Sequence, residues 1–299
     1  MTAEHTTTPS RVLVTGAAGL IGRVVSRTLA ERGVAVTALV LADPGDLAAD
    51  RVVVGDAGDP ELVRKALADV DAVVHLAAMP TPKHGTPLEV FGGNTRATFT
   101  VLEEAGQAGI RRAVIASSFS ILGLPWAHRA LHPAYLPIDE QLPLQIEDPY
   151  GLSKRVDECT AEAMAQRHGM TVVALRFPFV SDDDRTAFRL PLVTADPGEA
   201  ASELWTYLDV RDAAHAGWLA LTEPVSGYHT VFVAAPETLA PYRTDELIAA
   251  FHPQSELRRP LEGREVPIDL TAAKRLLGFT AQHLVELDVL PLPGTVPHA

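Results

Sequence analysis

The 299-residue sequence is short of cysteine and lysine, and each shortage excludes something. A single cysteine, Cys159, allows no internal disulfide and no cysteine-ligated zinc or iron–sulfur centre. Only four of the 25 basic side chains are lysines (Lys65, Lys83, Lys154, Lys274). With no basic cluster and a net charge of −13, a nucleic acid is not the expected partner. No apolar run approaches the roughly 18 residues of a spanning helix, so no membrane is expected either. Repeats, low-complexity tracts and Gly/Ser linkers are missing. His128 and His132 have no third ligand nearby, and Asp182, Asp183 and Asp184 diverge along the chain, so no metal site is expected. The opening MTAEHTTTPSR lacks the basic-then-apolar layout of a secretory signal, which leaves a cytoplasmic address as the expectation.

What is present is a rhythm. Short valine-rich runs at 11–15, 34–41, 51–54, 71–77, 112–117 and 171–177 alternate with helical segments at 20–32, 59–69, 94–109 and 150–168. Continuous apolar runs suit strands buried on both faces, and the helices between them supply parallel crossovers. The expected fold is α/β: a Rossmann-type doubly wound parallel sheet over 11–177. His75 lies on an apolar strand and is expected to be packed. Beyond Phe177 an irregular, Asp- and Pro-containing stretch precedes a strand at 204–208, a helix at 210–221, a strand at 228–235 and short helices near 243–250 and 271–277. This predicts a smaller, irregular substrate lobe over 178–290, with frayed tails at 1–10 and 291–299.

TGAAGLIG places Gly16, Gly19 and Gly22 between the first strand and the first helix. Glycines there permit a tight turn, close approach to a pyrophosphate and close helix packing, with free N–H groups at the helix start. A dinucleotide fold next wants an acid near the end of the second strand for the adenosine ribose. If that strand runs through Leu41, Asp43 is the acid; if it stops earlier, no acid stands there. No cation lies between Val34 and Asp50, so only Arg23 beside the cradle offers itself to a 2′-phosphate, and NAD is expected over NADP. Asp56, after the third strand, is a candidate for the adenine edge or for helix capping.

Tyr150 and Lys154 stand at i and i+4, on one helix face, where an ammonium favours a phenolate. Ser117 and Ser118 close the fifth strand, and strand carboxyl ends line the ligand crevice of such a sheet. Cys159 follows on the same helix and is expected as a small core residue rather than a nucleophile.

A glycine cradle, a strand-end serine and Tyr-x-x-x-Lys in this order resemble the short-chain dehydrogenase/reductase superfamily. DAVVHLAAM (71–79), Asn94, SSFSILG (117–123), PIDEQLPLQIEDPYGLSK (137–154), ALRFPFV (174–180) and YLDVRDAAHAG (207–217) are similar to its extended branch, the NAD-dependent epimerase/dehydratase family. The resemblance implies Tyr150 as general acid/base, Lys154 on the nicotinamide ribose and Ser118 on the reacting oxygen, with Ser117 its easily confused neighbour. It implies a cofactor site of Gly16, Gly19, Leu20, Ile21, Gly22, Asp43, Asp56, Ala57, Leu76, Ala77, Ala78 and Asn94, completed by Tyr150 and Lys154. It also implies a homodimer through the 94–109 and 150–168 helices.

The implied activity is hydride transfer at a hydroxyl or carbonyl carbon of a sugar-like substrate, as epimerase, dehydratase or dehydrogenase. The family's sugar-nucleotide members carry an asparagine-containing loop ending in Gly-Pro after the ALR strand, whereas this chain has Phe177-Pro178-Phe179-Val180-Ser181-Asp182. An acidic loop there disfavours a diphosphate. GAAGLIGR, LADPGD and ASSFSILG also resemble the uronate dehydrogenase subgroup, which implies Arg176 as partner of a sugar carboxylate. A silent NAD(P)-binding sensor or scaffold is the reading from another class, against which Ser118, Tyr150 and Lys154 stand.

Overall fold

In the computed structural model, residues 8–294 are described. Along the chain run β1 (Arg11–Thr15), α1 (Leu20–Glu31), β2 (Ala35–Val40), β3 (Arg51–Val54), α2 (Pro60–Ala66), β4 (Ala72–His75), α3 (Pro87–Gln107), β5 (Arg112–Ser118), β6 (Tyr135–Leu136) and α4 (Pro149–His168). They are followed by β7 (Thr171–Phe177), β8 (Phe179–Ser181), α5 (Asp183–Ala195), β9 (Tyr207–Asp209), α6 (Val210–Thr222), β10 (Tyr228–Phe232), α7 (Thr244–Phe251), β11 (Glu256–Leu257) and α8 (Thr271–Leu277).

Seven strands form one parallel sheet in the order β3-β2-β1-β4-β5-β7-β10. Alternate residues of each strand feed two cores, which is why the runs read as continuously apolar. Val12, Val14 and Val36 pack with Val25 and Leu29 of α1, Ala213 and Ala220 of α6 and Leu277 of α8. Leu13, Val73 and Ile115 pack with Val63 of α2, Val101 and Leu102 of α3 and Ala161 and Met164 of α4. A third core, with Trp205, Phe232, Tyr135 and Leu247, fills the C-terminal part. No helix among the described residues is long and apolar enough to cross a membrane.

Four expectations change. The division at Phe177 follows the chain rather than the packing, because β10 joins the edge of the large sheet beside β7 and α6 covers one of its faces. The stretch after β8 is not irregular throughout: Asp182 caps α5 through the Arg185 N–H, and Asp183 and Asp184 in its first turn complement the helix dipole, so the helix forms despite Pro191. Cys159 is exposed, not packed. Most of both expected frayed tails lies outside the described residues, but Ser10 is tied to Asp71 at 2.7 Å through its N–H, and Leu292 packs on the third core.

Candidate active site

Because all seven strands are parallel, their carboxyl ends share one edge, and a cavity of about 950 Å³ opens there. Gly16 to Gly22, Leu39 to Ala42, Gly55 to Ala57 and Leu76 to Met79 line one end; Ser118, Tyr150 and Lys154 line its middle.

Two of the cradle glycines are fixed by packing. A Cβ at Gly22 would lie 2.2 Å from the Gly16 carbonyl oxygen, and one at Gly16, whose φ is +67°, would lie 2.8 Å from the Ala77 nitrogen. At Gly19 a Cβ would lie 3.3 Å from the Gly16 carbonyl oxygen, a tight contact but not one that excludes a side chain as at the other two. Gly19 is also the N-cap of α1, and neither a side-chain cap nor an acidic residue of the first turn satisfies the N–H groups of that turn. A bare helix start with its positive dipole end toward a cavity fits a pyrophosphate.

Asp148 positions the tyrosine. Its Oδ1 accepts the N–H groups of Tyr150 and Gly151 at 2.9 and 2.8 Å, and Pro149 occupies the first turn, so α4 begins immediately before Tyr150. A Cβ at Gly151 would lie 2.6 Å from the Ser120 carbonyl oxygen, which shows how tightly this turn rests on the loop after β5. Lys154 Nζ donates to the Ala116 carbonyl oxygen at 2.9 Å, pairs with Asp157 Oδ2 at 3.3 Å and lies 5.9 Å from the Tyr150 ring centroid. Burial pushes the Asp157 carboxyl above its usual range, and the Lys154 charge opposes this.

The two serines separate cleanly. Ser117 Oγ donates to Glu158 Oε1 at 2.7 Å. Ser118 Oγ accepts the Ser120 N–H at 3.0 Å and so retains its own hydrogen for another acceptor. His75, fully packed as expected, sits beneath the site between the hydroxyls of Thr15 (2.8 Å) and Thr98 (3.1 Å). Burial, reinforced by the Lys154 charge, lowers its pKa to about 3 and keeps it neutral.

The cavity thus gathers Gly16, Gly19, Leu20, Ile21, Gly22, Asp56, Ala57, Leu76, Ala77, Ala78, Asn94, Ser118, Tyr150 and Lys154. Asn94 spends its amide on protein: Oδ1 accepts the Met79 N–H at 2.8 Å, and Nδ2 donates to Ser153 Oγ at 3.0 Å, pinning the loop after β4. Asp56 Oδ1 accepts the Gly58 N–H, while Asp59 is the cap of α2.

Two expected site residues lie elsewhere. β2 ends at Val40, so the cavity wall continues through the uncharged Leu41 and Ala42; Asp43 is exposed beyond them and accepts the Gly45 N–H at 2.8 Å in its own turn. Arg176 is 3% exposed and gives Glu158 a two-pronged ion pair, Nε to Oε1 at 2.8 Å and Nη2 to Oε2 at 2.9 Å, while its Nη1 donates to the Glu140 carbonyl oxygen at 3.3 Å, so all three nitrogens are engaged by protein rather than by a sugar carboxylate. Burial works against its charge, but the Glu158 hydrogen bonds outweigh this and raise its pKa. Residues that sequence reasoning did not single out complete the far end: Trp126, Phe179, Arg185 and Glu203. The guanidinium of Arg185 lies 5.2 Å over the Phe179 ring, and Glu203 is paired to Arg189 at 2.9 Å.

This sheet order, glycine turn and Ser–Tyr–Lys constellation define a Rossmann-fold protein of the short-chain dehydrogenase/reductase type. The profile of the NAD dependent epimerase/dehydratase family matches residues 12–181, and the chain belongs to that family. It is 32% identical to the UDP-glucose 4-epimerase of Azospirillum brasilense over 207 residues, 64% of this chain and 56% of that one. It is 30% identical to the uronate dehydrogenase of Pseudomonas syringae pv. tomato over 181 residues, 59% of this chain and 62% of that one. The matches therefore span less than two thirds of those relatives' lengths. The structure of MoeE5 in complex with UDP-glucuronic acid and NAD superimposes with a TM-score of 0.69 at 26% identity, covering 91% of this chain and 94% of that one.

Proposed function

We propose that this protein is an NAD-dependent oxidoreductase or epimerase that moves hydride between the nicotinamide and a hydroxyl- or carbonyl-bearing carbon of a sugar or nucleotide sugar. The observation that carries this reading is the placement of Ser118, Tyr150 and Lys154 on the wall of the cavity that also holds the uncapped glycine turn. Gly16 to Gly22 would hold the diphosphate, Asp56 and Ala57 the adenine, and Lys154 the nicotinamide ribose. The bound dinucleotide supplies the acceptor or donor of a hydride.

In the oxidative direction Tyr150 Oη would take the proton of the substrate hydroxyl while the hydride of its carbon passes to the oxidised nicotinamide that the dinucleotide would supply. The Ser118 hydroxyl would donate a hydrogen bond to the same oxygen, and the Lys154 ammonium, 5.9 Å from the Tyr150 ring centroid, would hold the nicotinamide ribose beside it. Return of hydride and proton completes an epimerisation when the carbonyl has presented its other face; release of the carbonyl product completes a dehydrogenation. Phe179, Trp126, Arg185 and Glu203 would form the substrate end.

Calorimetric titration with NAD, followed by a screen of uronic acids, aldoses and UDP-sugars read by nicotinamide absorbance and by NMR of the sugar, tests this. NAD binding with turnover of one sugar class supports it; absence of NAD binding overturns it. The same reading includes action in the cytoplasm and a homodimer through α3 and α4, where Leu88, Phe99 and Leu152 are exposed apolar residues. Light scattering of Phe99→Glu, expected to be monomeric against a dimeric parent, checks the assembly.

A further inference from the structure

The adenosine end of the cavity lacks the feature that such sites use to prefer NAD. Between Leu39 and Ala42 its β2 wall presents no carboxylate, and Asp43 is turned to Gly45. One ion pair bridges the two segments that flank this end. Arg23, directly after the cradle glycine Gly22, donates from Nε to the Ala18 carbonyl oxygen at 3.2 Å and from Nη1 to Asp46 Oδ1 at 2.9 Å. Asp46 belongs to the loop that follows Leu41 and Ala42. The pair is open to solvent, with the side chains 36% and 67% exposed, so its role as a staple of the fold is small.

Resting on the dinucleotide reading above, we propose that this chain discriminates NAD from NADP through Asp46, which occupies and neutralises Arg23, and not through a ribose-binding carboxylate at the end of β2. Arg23 is the cation placed beside the cradle, and a guanidinium is the group that recognises a 2′-phosphate. While Asp46 holds it, a phosphate arriving there meets a carboxylate as well as an arginine already engaged. Without Asp46 the same arginine keeps only its Ala18 carbonyl contact, and its Nη1 is released for a phosphate. Specificity in this arrangement comes from a repulsive element rather than from an added contact to NAD.

The test is calorimetric titration of the full chain with NAD and with NADP, for the parent and for Asp46→Asn, Arg23→Ala, the double variant and Asp43→Ala. Asp46→Asn is expected to tighten NADP about tenfold while moving NAD less than about twofold. Arg23→Ala removes that gain in the double variant, and Asp43→Ala leaves NAD binding unchanged. Melting temperatures accompany each titration; both side chains of the pair reach solvent, so the fold is expected to persist. NADP affinity unmoved in Asp46→Asn, or NAD weakened about tenfold in Asp43→Ala, overturns the proposal while leaving the dinucleotide reading intact. Binding of neither dinucleotide by the parent overturns both.

Discussion

Lys154 and Asp157 face one another at 3.3 Å one helical turn apart, with side chains 4% and 2% exposed, directly behind the proposed catalytic tyrosine. A buried pair of this kind is costly to break, because the survivor is left in the interior without its counter-ion, by about 3–5 kcal/mol. The Lys154→Met variant is therefore expected to lose stability as well as NAD affinity. Lys154→Met with Asp157→Leu is expected to recover most of the stability and none of the affinity, since only the charge mismatch has been repaired. Denaturant unfolding of the four proteins in a double-mutant cycle, with NAD titrations beside it, checks this.

Arg176→Ala is expected to destabilise by a similar amount, about 3–5 kcal/mol, because Glu158 is wholly buried and has its guanidinium removed. If the variant is studied below its lowered melting temperature, the KM for the sugar is expected to move little, since the guanidinium is committed to Glu158. A large KM change with unaltered stability contradicts the structural role.

That role was not legible in the sequence. An arginine on a strand beside a cavity reads equally well as a substrate ligand; its partner Glu158 lies 18 residues earlier on α4, and only the register that sets Ser117 opposite Arg176 brings Ser117, Glu158 and Arg176 together. The parallel sheet and its crossover helices were readable because buried parallel strands and crossover helices leave apolar runs and periodicity that need no long-range information. Asp43 turned on whether β2 runs through Leu41, and the strand stops at Val40. α5 was hidden by its composition, three aspartates and a proline, which act there as cap, first turn and interior residue of a helix. Asp157 was visible as an i, i+3 partner of Lys154, but spacing alone does not distinguish a buried counter-ion from a solvated one.

The cradle glycines are expected to fail in different ways. Gly22→Ala places a methyl 2.2 Å from the Gly16 oxygen and must displace the turn, so both melting temperature and NAD affinity fall. Gly19→Ala meets protein no closer than 3.3 Å and is expected to keep the melting temperature within a few degrees while weakening NAD by about tenfold or more. Thermal denaturation with and without NAD separates the two.

Stability is expected to rise with pH through the acid range. His75 has its pKa lowered by burial to about 3 and His252 to about 4, against an ordinary value of 6.5. Between these values and 6.5 the unfolded chain binds protons that the native chain refuses, so stability is lost as pH falls through that window. Melting temperatures measured from neutral pH downward should drop, and His75→Gln should flatten the drop. An unchanged slope contradicts a neutral, buried His75.

Tyr150 is the proposed group that moves the proton while hydride is transferred at the cavity that holds the glycine turn. The direct measurement is the sugar turnover rate and the NAD dissociation constant of Tyr150→Phe beside the parent, on the substrate class found by screening. A fall in kcat of about 10²–10⁴-fold is expected, with NAD affinity within about threefold. Turnover by Tyr150→Phe at the parental rate would contradict it.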